Sequence, residues 1–156
     1  MKKLISIIIP MYNEEESLPY LYDRLTKLAD KIENYNMEFL FVNDGSKDNS
    51  LNIVKAYKKS DERVCYLNLS RNFGKEVAMA AALDYVRGDV VAIIDADLQD
   101  PPELIIDMLK YYEEGYDDVY AKRKSRKGET VLKKFTSHTF YRVLRSVSKV
   151  PIQEDT

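Results

Sequence analysis

Residues 90–103 read VVAIIDADLQDPPE and carry the strongest structural signal in the sequence. The apolar run from Val90 to Ile94 is too short for a helix and fits a buried strand. It ends in Asp95-Ala96-Asp97, and Pro101-Pro102 is well placed to begin a helix. The stretch therefore predicts a strand, a polar loop and a helix, in that order.

The same alternation of short apolar runs and longer segments of helical period recurs along the chain. Such repeated units are typical of an α/β fold with a mostly parallel sheet and helices on both faces. Strands are predicted at Leu4–Ile9, Glu38–Val42, Val64–Leu69, Val90–Ile94 and Asp118–Ala121. Helices are predicted at Ser17–Glu33, Asn49–Ser60, Lys75–Val86 and Pro102–Glu114.

Length and composition favour one soluble, globular domain with a real core. The chain has 156 residues, 45% of them hydrophobic and 32% charged, with five Gly and five Pro, which excludes a disordered or collagenous chain. Cys65 is the single cysteine, so no internal disulfide can form, and a reducing compartment is expected. The N-terminal apolar run lacks a cleavage site and predicts a strand. No run approaches the roughly 18 apolar residues that span a bilayer, so no transmembrane helix is expected.

Charge is distributed unevenly between two predicted regions, residues 1–121 and 122–156. The first holds 14 of the 24 Lys and Arg residues but 23 of the 26 Asp and Glu residues, so the second is strongly basic. The second region begins with a basic loop and continues into a segment of amphipathic helical period. It suits an anionic partner such as phosphate, lipid or nucleic acid, although an ordinary solvated helix face has the same pattern.

Polar residues follow four of the predicted strands at their carboxyl ends. In a parallel sheet these ends lie along one edge, where the connecting loops form a ligand crevice. The four loops contain Met11-Tyr12-Asn13-Glu14, Asn43-Asp44-Gly45-Ser46, Ser70-Arg71-Asn72-Phe73-Gly74 and Asp95-Ala96-Asp97. We therefore expect these four loops to meet in one site.

Asp95 and Asp97 are two residues apart, so their side chains point the same way from an extended backbone. Two such carboxylates repel each other unless a cation lies between them. Mg²⁺ is commonly held by one or two carboxylates together with substrate phosphates. The pattern thus predicts a metal site for a diphosphate-bearing substrate. Alternatively, Asp97 caps the following turn and Asp95 is merely solvated.

Other residues of the four loops have both a functional and a structural interpretation. Asp44 could accept hydrogen bonds from a base or ribose, but Asn-Asp-Gly-Ser is also a common turn sequence. Arg71 and Lys75 would bring positive charge to phosphates, or would be solvated surface cations. Asn13 and Glu14 are ambiguous by themselves, because acidic segments are also common at the start of a helix. The functional interpretation of both residues depends on their facing the same crevice.

Several enzyme classes are disfavoured by missing motifs. No glycine-rich dinucleotide fingerprint or Walker loop follows the first strand. No Gly-x-Ser-x-Gly motif is present, and no Ser-His-Asp set can be drawn with the single histidine, His138. A zinc site is improbable because no second His or Cys lies near His138. An aspartyl-phosphate phosphatase would place its aspartate pair after the first strand rather than the fourth. The basic region lacks a recognised nucleic-acid module, so nucleic acid is not expected as a partner.

The ordered motifs SIIIPMYNEEESL, FVNDGSKDNS and IIDADLQDPPE resemble those of family 2 glycosyltransferases with the GT-A fold. The stretch LSRNFGKEVAMAAALDYVRGD and the loop RKSRKGE are most similar to the polyprenyl-phosphate branch of that family. The resemblance extends over essentially the whole chain. It implies a Rossmann-like GT-A core at 1–121, followed at 122–156 by the basic loop and an interfacial amphipathic helix.

The resemblance also assigns roles to individual residues. Asp95 and Asp97 match the Asp-x-Asp motif that holds Mg²⁺ or Mn²⁺ against the donor diphosphate, and Asp97 is expected to be catalytic. Arg123 and Arg126 match positions that contact donor or acceptor phosphate, while Asp155 matches the first acid of an acceptor-site segment and is a second catalytic candidate. The expected nucleotide-sugar-binding residues are Pro10, Tyr12, Asn13, Glu14, Asp44, Arg71, Lys75, Asp95, Ala96, Asp97 and Gln99.

The implied activity is inverting transfer of a hexose from a nucleoside-diphosphate sugar to a polyprenyl phosphate. A UDP-sugar is favoured over a GDP-sugar, and residues 122–149 are expected to contact the cytoplasmic face of a bacterial cell membrane. A soluble transferase acting on a polysaccharide or protein hydroxyl, and a donor-binding module without turnover, are the alternatives. Relatives continue beyond the equivalent of Thr156 into acceptor-site and membrane segments, and whether the protein is a homo-oligomer is left open.

Overall fold

The structure, a computed structural model, describes residues 1–121. These residues comprise one compact unit, Met1–Leu109, and the first part of a second unit that begins at Lys110. Strands and helices alternate throughout the described part. The elements are β1 (Lys3–Met11), α1 (Leu18–Lys31), β2 (Tyr35–Asn43), α2 (Ser50–Ser60), β3 (Val64–Asn68), α3 (Lys75–Leu83), β4 (Val90–Ile93) and α4 (Leu104–Glu113).

The four strands form one parallel sheet in the order β3-β2-β1-β4. β1 and β2 are central, and their last seven residues are all buried, which explains why both appear in the sequence as continuous apolar runs. In the register, Met11 pairs with Asn43 and Asn43 pairs with Asn68, so these three strands end level with one another. The carboxyl edge therefore brings the following loops together, as the sequence predicts.

Helices cover both faces of the sheet, which confirms the predicted α/β class. On one face, the leucines of α1 at helical spacing pack with residues of α2 and α4 against alternate residues of β1 and β2. On the other face, Ala78 and Ala82 of α3 pack against Ile8, Leu40 and Val42. The small alanine side chains let α3 lie close to the sheet, and this fixes the position of the loop that precedes α3.

The fifth predicted strand, Asp118–Ala121, is wrong. The structure has no strand at these four residues, and all of them except Val119 are exposed. A strand exists only where a neighbouring strand supplies its hydrogen bonds. A short segment with one β-branched residue gains too little from burial to order itself without that ladder.

All four predicted helices are present, and each is shorter than predicted by one to three residues at one or both ends. Periodicity defines the terminal turns of a helix poorly. Within residues 1–121, no helix combines the length and the apolar character needed to cross a bilayer.

Candidate active site

A crevice of about 340 Å³ opens at the carboxyl edge of the sheet, within the size range of small-ligand sites. All four strand-end loops contribute to its wall. The lining residues are Pro10, Met11, Tyr12, Glu14, Asp44, Asn72, Gly74, Lys75, Asp95, Ala96 and Asp97. Eight of the eleven candidates drawn from the sequence are thus brought together, while Asn13, Arg71 and Gln99 are not part of this wall.

The first loop (residues 12–17) and the second loop (residues 44–49) are joined by reciprocal hydrogen bonds. The Asn13 amide donates to Ser46 Oγ at 3.0 Å, and the Lys47 amide donates to Asn13 Oδ1 at 2.8 Å. Glu15 makes a similar pair of contacts with residues 48 and 49. Asn13 also has φ of 57°, a left-handed conformation that asparagine tolerates better than most residues. Its side chain therefore holds two loops together and lies outside the crevice wall.

Asp44 connects the second loop to the third loop (residues 69–74). The Phe73 and Gly74 amides donate to its two carboxylate oxygens at 2.7 and 2.9 Å, and the residue is only 3% exposed. Next to it, Gly45 has φ of 69° and lies directly against the backbone of Arg71 and Asn72, where a Cβ would collide. Asp44 is thus more than a turn residue, because it fixes the loop that leads into α3.

The two cations of the third loop have different environments. The Arg71 guanidinium stacks over the Phe73 ring, with its central carbon 4.6 Å from the ring centroid. Lys75, the first residue of α3, places Nζ 2.5 Å from Asp95 Oδ1. Positive charge therefore enters the crevice wall through Lys75 rather than through Arg71.

The aspartates after β4 are held by the backbone around them. The Ile94 amide extends the sheet ladder by donating to the Ile8 carbonyl at 3.1 Å, and Ala96 is buried in the core. Asp97 Oδ1 accepts the Gln99 amide at 3.0 Å, while Leu98 adopts a φ of 62°. Asp97 thus does cap the following turn, as the alternative interpretation held. Asp95 is paired with Lys75 instead of being merely solvated.

The donor set fits a hard divalent cation in one specific way. Asp95 and Asp97 line the same crevice, but residues 1–121 contain no group of three Asp, Glu, His or Cys side chains able to hold a metal. Two carboxylates suit Mg²⁺ or Mn²⁺ when substrate phosphates complete the coordination. The residues present therefore fit a metal that is bound together with its substrate.

The segment after the aspartates is anchored to α1. The Arg24 guanidinium makes two hydrogen bonds to the Glu103 carboxylate, one of them between Nε and Oε1 at 3.1 Å. This hydrogen bonding lowers the pKa of Glu103 below its ordinary value. The pair lies 79 residues apart in sequence, so local pattern could not reveal it.

Sequence reasoning missed three residues of the wall: Met11, Asn72 and Gly74. Asn72 and Gly74 lie between Arg71 and Lys75, and a polar Asn two residues before a Gly is the sequence signal for them. Arg123, Arg126, Asp155 and the expected membrane-facing residues 122–149 lie outside the described residues.

The sequence model of one protein family, glycosyl transferase family 2, matches residues 6–154. The chain belongs to this family. The match begins in β1 and includes all four loops of the crevice, so the geometry above is that of a family 2 member. The resemblance seen in the motifs is thereby confirmed.

Two curated relatives match nearly the whole of this family 2 chain. An uncharacterized glycosyltransferase, YkcC of Bacillus subtilis, is 48% identical over 97% of the chain and 46% of its own length. A prophage bactoprenol glucosyl transferase homolog of Escherichia coli K12 is 40% identical over 97% of the chain and 49% of its own length. The chain thus spans about half the length of the curated relatives it matches.

Solved structures confirm the GT-A fold. The mannosyltransferase PcManGT of Pyrobaculum calidifontis, in complex with GDP-Man and Mn²⁺, superposes with a TM-score of 0.63 at 22% identity, covering 93% of this chain and 39% of that one. Residues 1–349 of Staphylococcus aureus TarS, in complex with UDP-GlcNAc, superpose with a TM-score of 0.62 at 29% identity. This match covers 84% of this chain and 37% of the TarS chain. The first likeness concerns the fold alone.

Proposed function

We propose that this chain is an inverting glycosyltransferase that moves a hexose from a nucleoside-diphosphate sugar to a polyprenyl phosphate. The observation that carries the proposal is the meeting of Asp95, Asp97 and Lys75 in one crevice of a family 2 chain. Two carboxylates and one ammonium in an open crevice suit a diphosphate that brings a divalent cation with it. The Escherichia coli relative, a bactoprenol glucosyl transferase homolog, supports the acceptor class.

The crevice divides into a nucleotide part and a diphosphate part. Tyr12 and Glu14 of the first loop and the buried Asp44 line one side, where their oxygens can accept hydrogen bonds from a base or ribose. Lys75 and the two aspartates line the other side. A UDP-sugar is the favoured donor, supported by the UDP-GlcNAc complex of TarS, while the GDP-Man complex of PcManGT keeps a GDP-sugar as the second choice.

Asp95 and Asp97 would hold Mg²⁺ or Mn²⁺. When bound, such a cation neutralises the charge that develops on the departing diphosphate. Asp97 keeps its orientation through the hydrogen bond from the Gln99 amide, which leaves Oδ2 for the ligand. The Mn²⁺ complex of PcManGT supports this assignment by its fold likeness.

An acceptor phosphate is already anionic, so positioning and charge neutralisation matter more than a strong base. Arg123 and Arg126 would contact the acceptor phosphate, and Asp155 would take part in catalysis. Residues 122–149 would lie against the cytoplasmic face of a bacterial membrane, since ten of the 24 cations fall in the last 35 residues. Vesicle sedimentation tests this: binding to phosphatidylglycerol but not phosphatidylcholine is expected, and Arg123→Ala/Arg126→Ala should weaken it.

A second candidate is a donor-binding module without turnover of its own. It needs only the donor site, and residues 1–121 supply the crevice proposed for that site. The same nucleotide site serves both candidates. They differ in whether the chain, supplied with donor and polyprenyl phosphate, releases nucleoside diphosphate.

Calorimetric titration of UDP and then GDP, with and without Mn²⁺, tests the donor site. Binding of one nucleotide is expected to depend on Mn²⁺ and to weaken about 100-fold in Asp95→Ala/Asp97→Ala, as for the loss of two charge-assisted contacts. The matched control, Asp30→Ala/Asp84→Ala, removes two exposed acids outside the crevice and should bind as the wild type does. A folded protein that binds neither nucleotide would contradict the proposal.

A further inference from the structure

The Lys75–Asp95 pair joins two different strand-end loops across the crevice. Lys75 Nζ lies 2.5 Å from Asp95 Oδ1. The Lys75 side chain is 51% exposed and the Asp95 side chain is 34% exposed. Both residues line the crevice wall together with Asp97. The pair thus lies in the cavity itself and is open to solvent, where a ligand can reach both partners.

Among the carboxylates of residues 1–121, Asp95 is the one that lies within ion-pair distance of the Lys75 ammonium. Asp44 is occupied by the Phe73 and Gly74 amides, and Asp97 Oδ1 by the Gln99 amide. Glu14 Oε2 accepts the Ser17 hydroxyl at 2.6 Å. Within residues 1–121, Asp95 accepts no hydrogen bond from a backbone amide or a hydroxyl, and the Lys75 ammonium is the group that balances its charge.

We infer that Lys75 is an internal counterion that competes with the divalent cation for Asp95 and moves to the donor diphosphate when donor binds. This inference rests on the proposed donor site and adds a regulatory role for one of its residues. An ammonium and a divalent cation repel each other and cannot both lie against the same carboxylate oxygen. Lys75 must therefore leave Asp95 before that oxygen can become a ligand.

The properties of lysine suit such an exchange. A half-exposed ion pair contributes little stability, so separating it is inexpensive. The four-carbon side chain carries a compact charge that can be redirected without moving α3. A diphosphate offers more negative charge than one carboxylate and would draw the ammonium away. Donor and cation then favour each other's binding, and the coupling is reciprocal.

Mn²⁺ binding without nucleotide tests the competition directly, with free Mn²⁺ measured by electron paramagnetic resonance. Lys75→Met should bind Mn²⁺ about 5-fold more tightly than the wild type, as expected for removing a weak competing ion pair. Lys75→Arg keeps the charge and should stay close to wild type. Lys55→Met is the matched control: it removes the same charge from the exposed side of α2, and Lys55 does not line the crevice wall.

Equal Mn²⁺ affinity in wild type and Lys75→Met would overturn the inference. So would equal gains in Lys75→Met and Lys55→Met, because that would be a general charge effect. Circular dichroism at each step confirms that the variants are folded.

Repeating the titration with saturating UDP separates this inference from the proposed function. In the wild type UDP should strengthen Mn²⁺ binding, and in Lys75→Met this gain should be about 10-fold smaller because the diphosphate loses one charged contact. If UDP strengthens Mn²⁺ binding by the same factor in Lys75→Met as in the wild type, the inference that Lys75 moves to the diphosphate is wrong. If no protein binds UDP while Lys75→Met still binds Mn²⁺ more tightly, the proposed donor site fails and the competition at Asp95 stands.

Discussion

A carboxylate is paired with a cation towards the amino ends of the strands (the amino edge) and another at their carboxyl ends (the carboxyl edge), but the two pairs are built differently. Towards the amino edge, Glu38 accepts hydrogen bonds from the Ser6 hydroxyl, the Arg87 amide and the Arg87 guanidinium, and its side chain is 6% exposed. The Gly88 amide in turn donates to Ser6 Oγ at 2.8 Å. At the carboxyl edge, the Asp95 side chain is 34% exposed, and its ion-pair partner within residues 1–121 is Lys75.

The difference separates a structural carboxylate from one that is available to a ligand. Burial alone would raise the pKa of Glu38, but the hydrogen bonds from Ser6 and Arg87 outweigh it, so the pKa lies below its ordinary value. These bonds join β1, β2 and the entry to β4, and they leave Glu38 closed to solvent. The Asp95 pair links only two loops and remains open. We therefore expect substitutions at Glu38 to affect stability and those at Asp95 to affect binding.

The largest effect on stability is expected for Glu38→Ala. It removes the acceptor of several hydrogen bonds and leaves buried donors unsatisfied, which should lower the free energy of unfolding by about 2–4 kcal/mol. Urea denaturation measures this. The companion variant Asp95→Ala should lose less than about 1 kcal/mol, because its pair is partly exposed. Similar losses in the two variants would break the comparison.

Substituting Gly88 at the amino edge or Gly45 at the carboxyl edge tests the same comparison through steric clashes. A Cβ on Gly88 would lie 2.6 Å from Ser6 Oγ and 2.8 Å from the Val90 carbonyl oxygen, and a Cβ on Gly45 would collide with the Arg71 backbone. Each substitution by Ala should cost about 1–3 kcal/mol of stability. Only Gly45→Ala should also weaken nucleotide binding, since it displaces the loop that Asp44 holds. Calorimetry below both melting transitions checks this, and weakened binding in Gly88→Ala would contradict it.

The sequence predicts the sheet and the position of the crevice because both follow from local pattern. β1, β2 and β4 end at Met11, Asn43 and Ile93, and parallel strands must end along one edge. What it could not predict depends on distant partners. Asn13 accepts the Lys47 amide 34 residues away. The position of Arg71 is a different case, because its stacking on Phe73 depends on the rotamers of two near neighbours. The prediction of a strand at 118–121 is wrong because a strand needs a neighbouring strand, and the local sequence does not encode that pairing.

A smaller effect is expected for Asp44→Asn. The carboxylate accepts two backbone amides, whereas an amide side chain has one oxygen and would turn its own N–H groups towards a donor. The loss should be about 1–2 kcal/mol, with weaker UDP binding because the third loop shifts. Asp89→Asn is the control at the amino edge, where one oxygen accepts the Leu4 amide at 2.8 Å. It should leave UDP binding unchanged, and equal effects on binding would count against the assignment.

The smallest effect concerns the pH dependence of stability. Because the pKa of Glu38 is lowered on folding, the folded chain binds fewer protons than the unfolded chain between the two pKa values. This contribution is complete above the ordinary value of 4.5 and is lost as the pH falls through the folded value. Glu38→Gln cannot titrate, whereas Asp61 and Glu103, whose pKa values are also lowered, titrate in both proteins and cancel. The stability advantage of the wild type over Glu38→Gln in urea should therefore shrink from pH 6 towards acid, and two parallel curves would show that the Glu38 network acts without its charge.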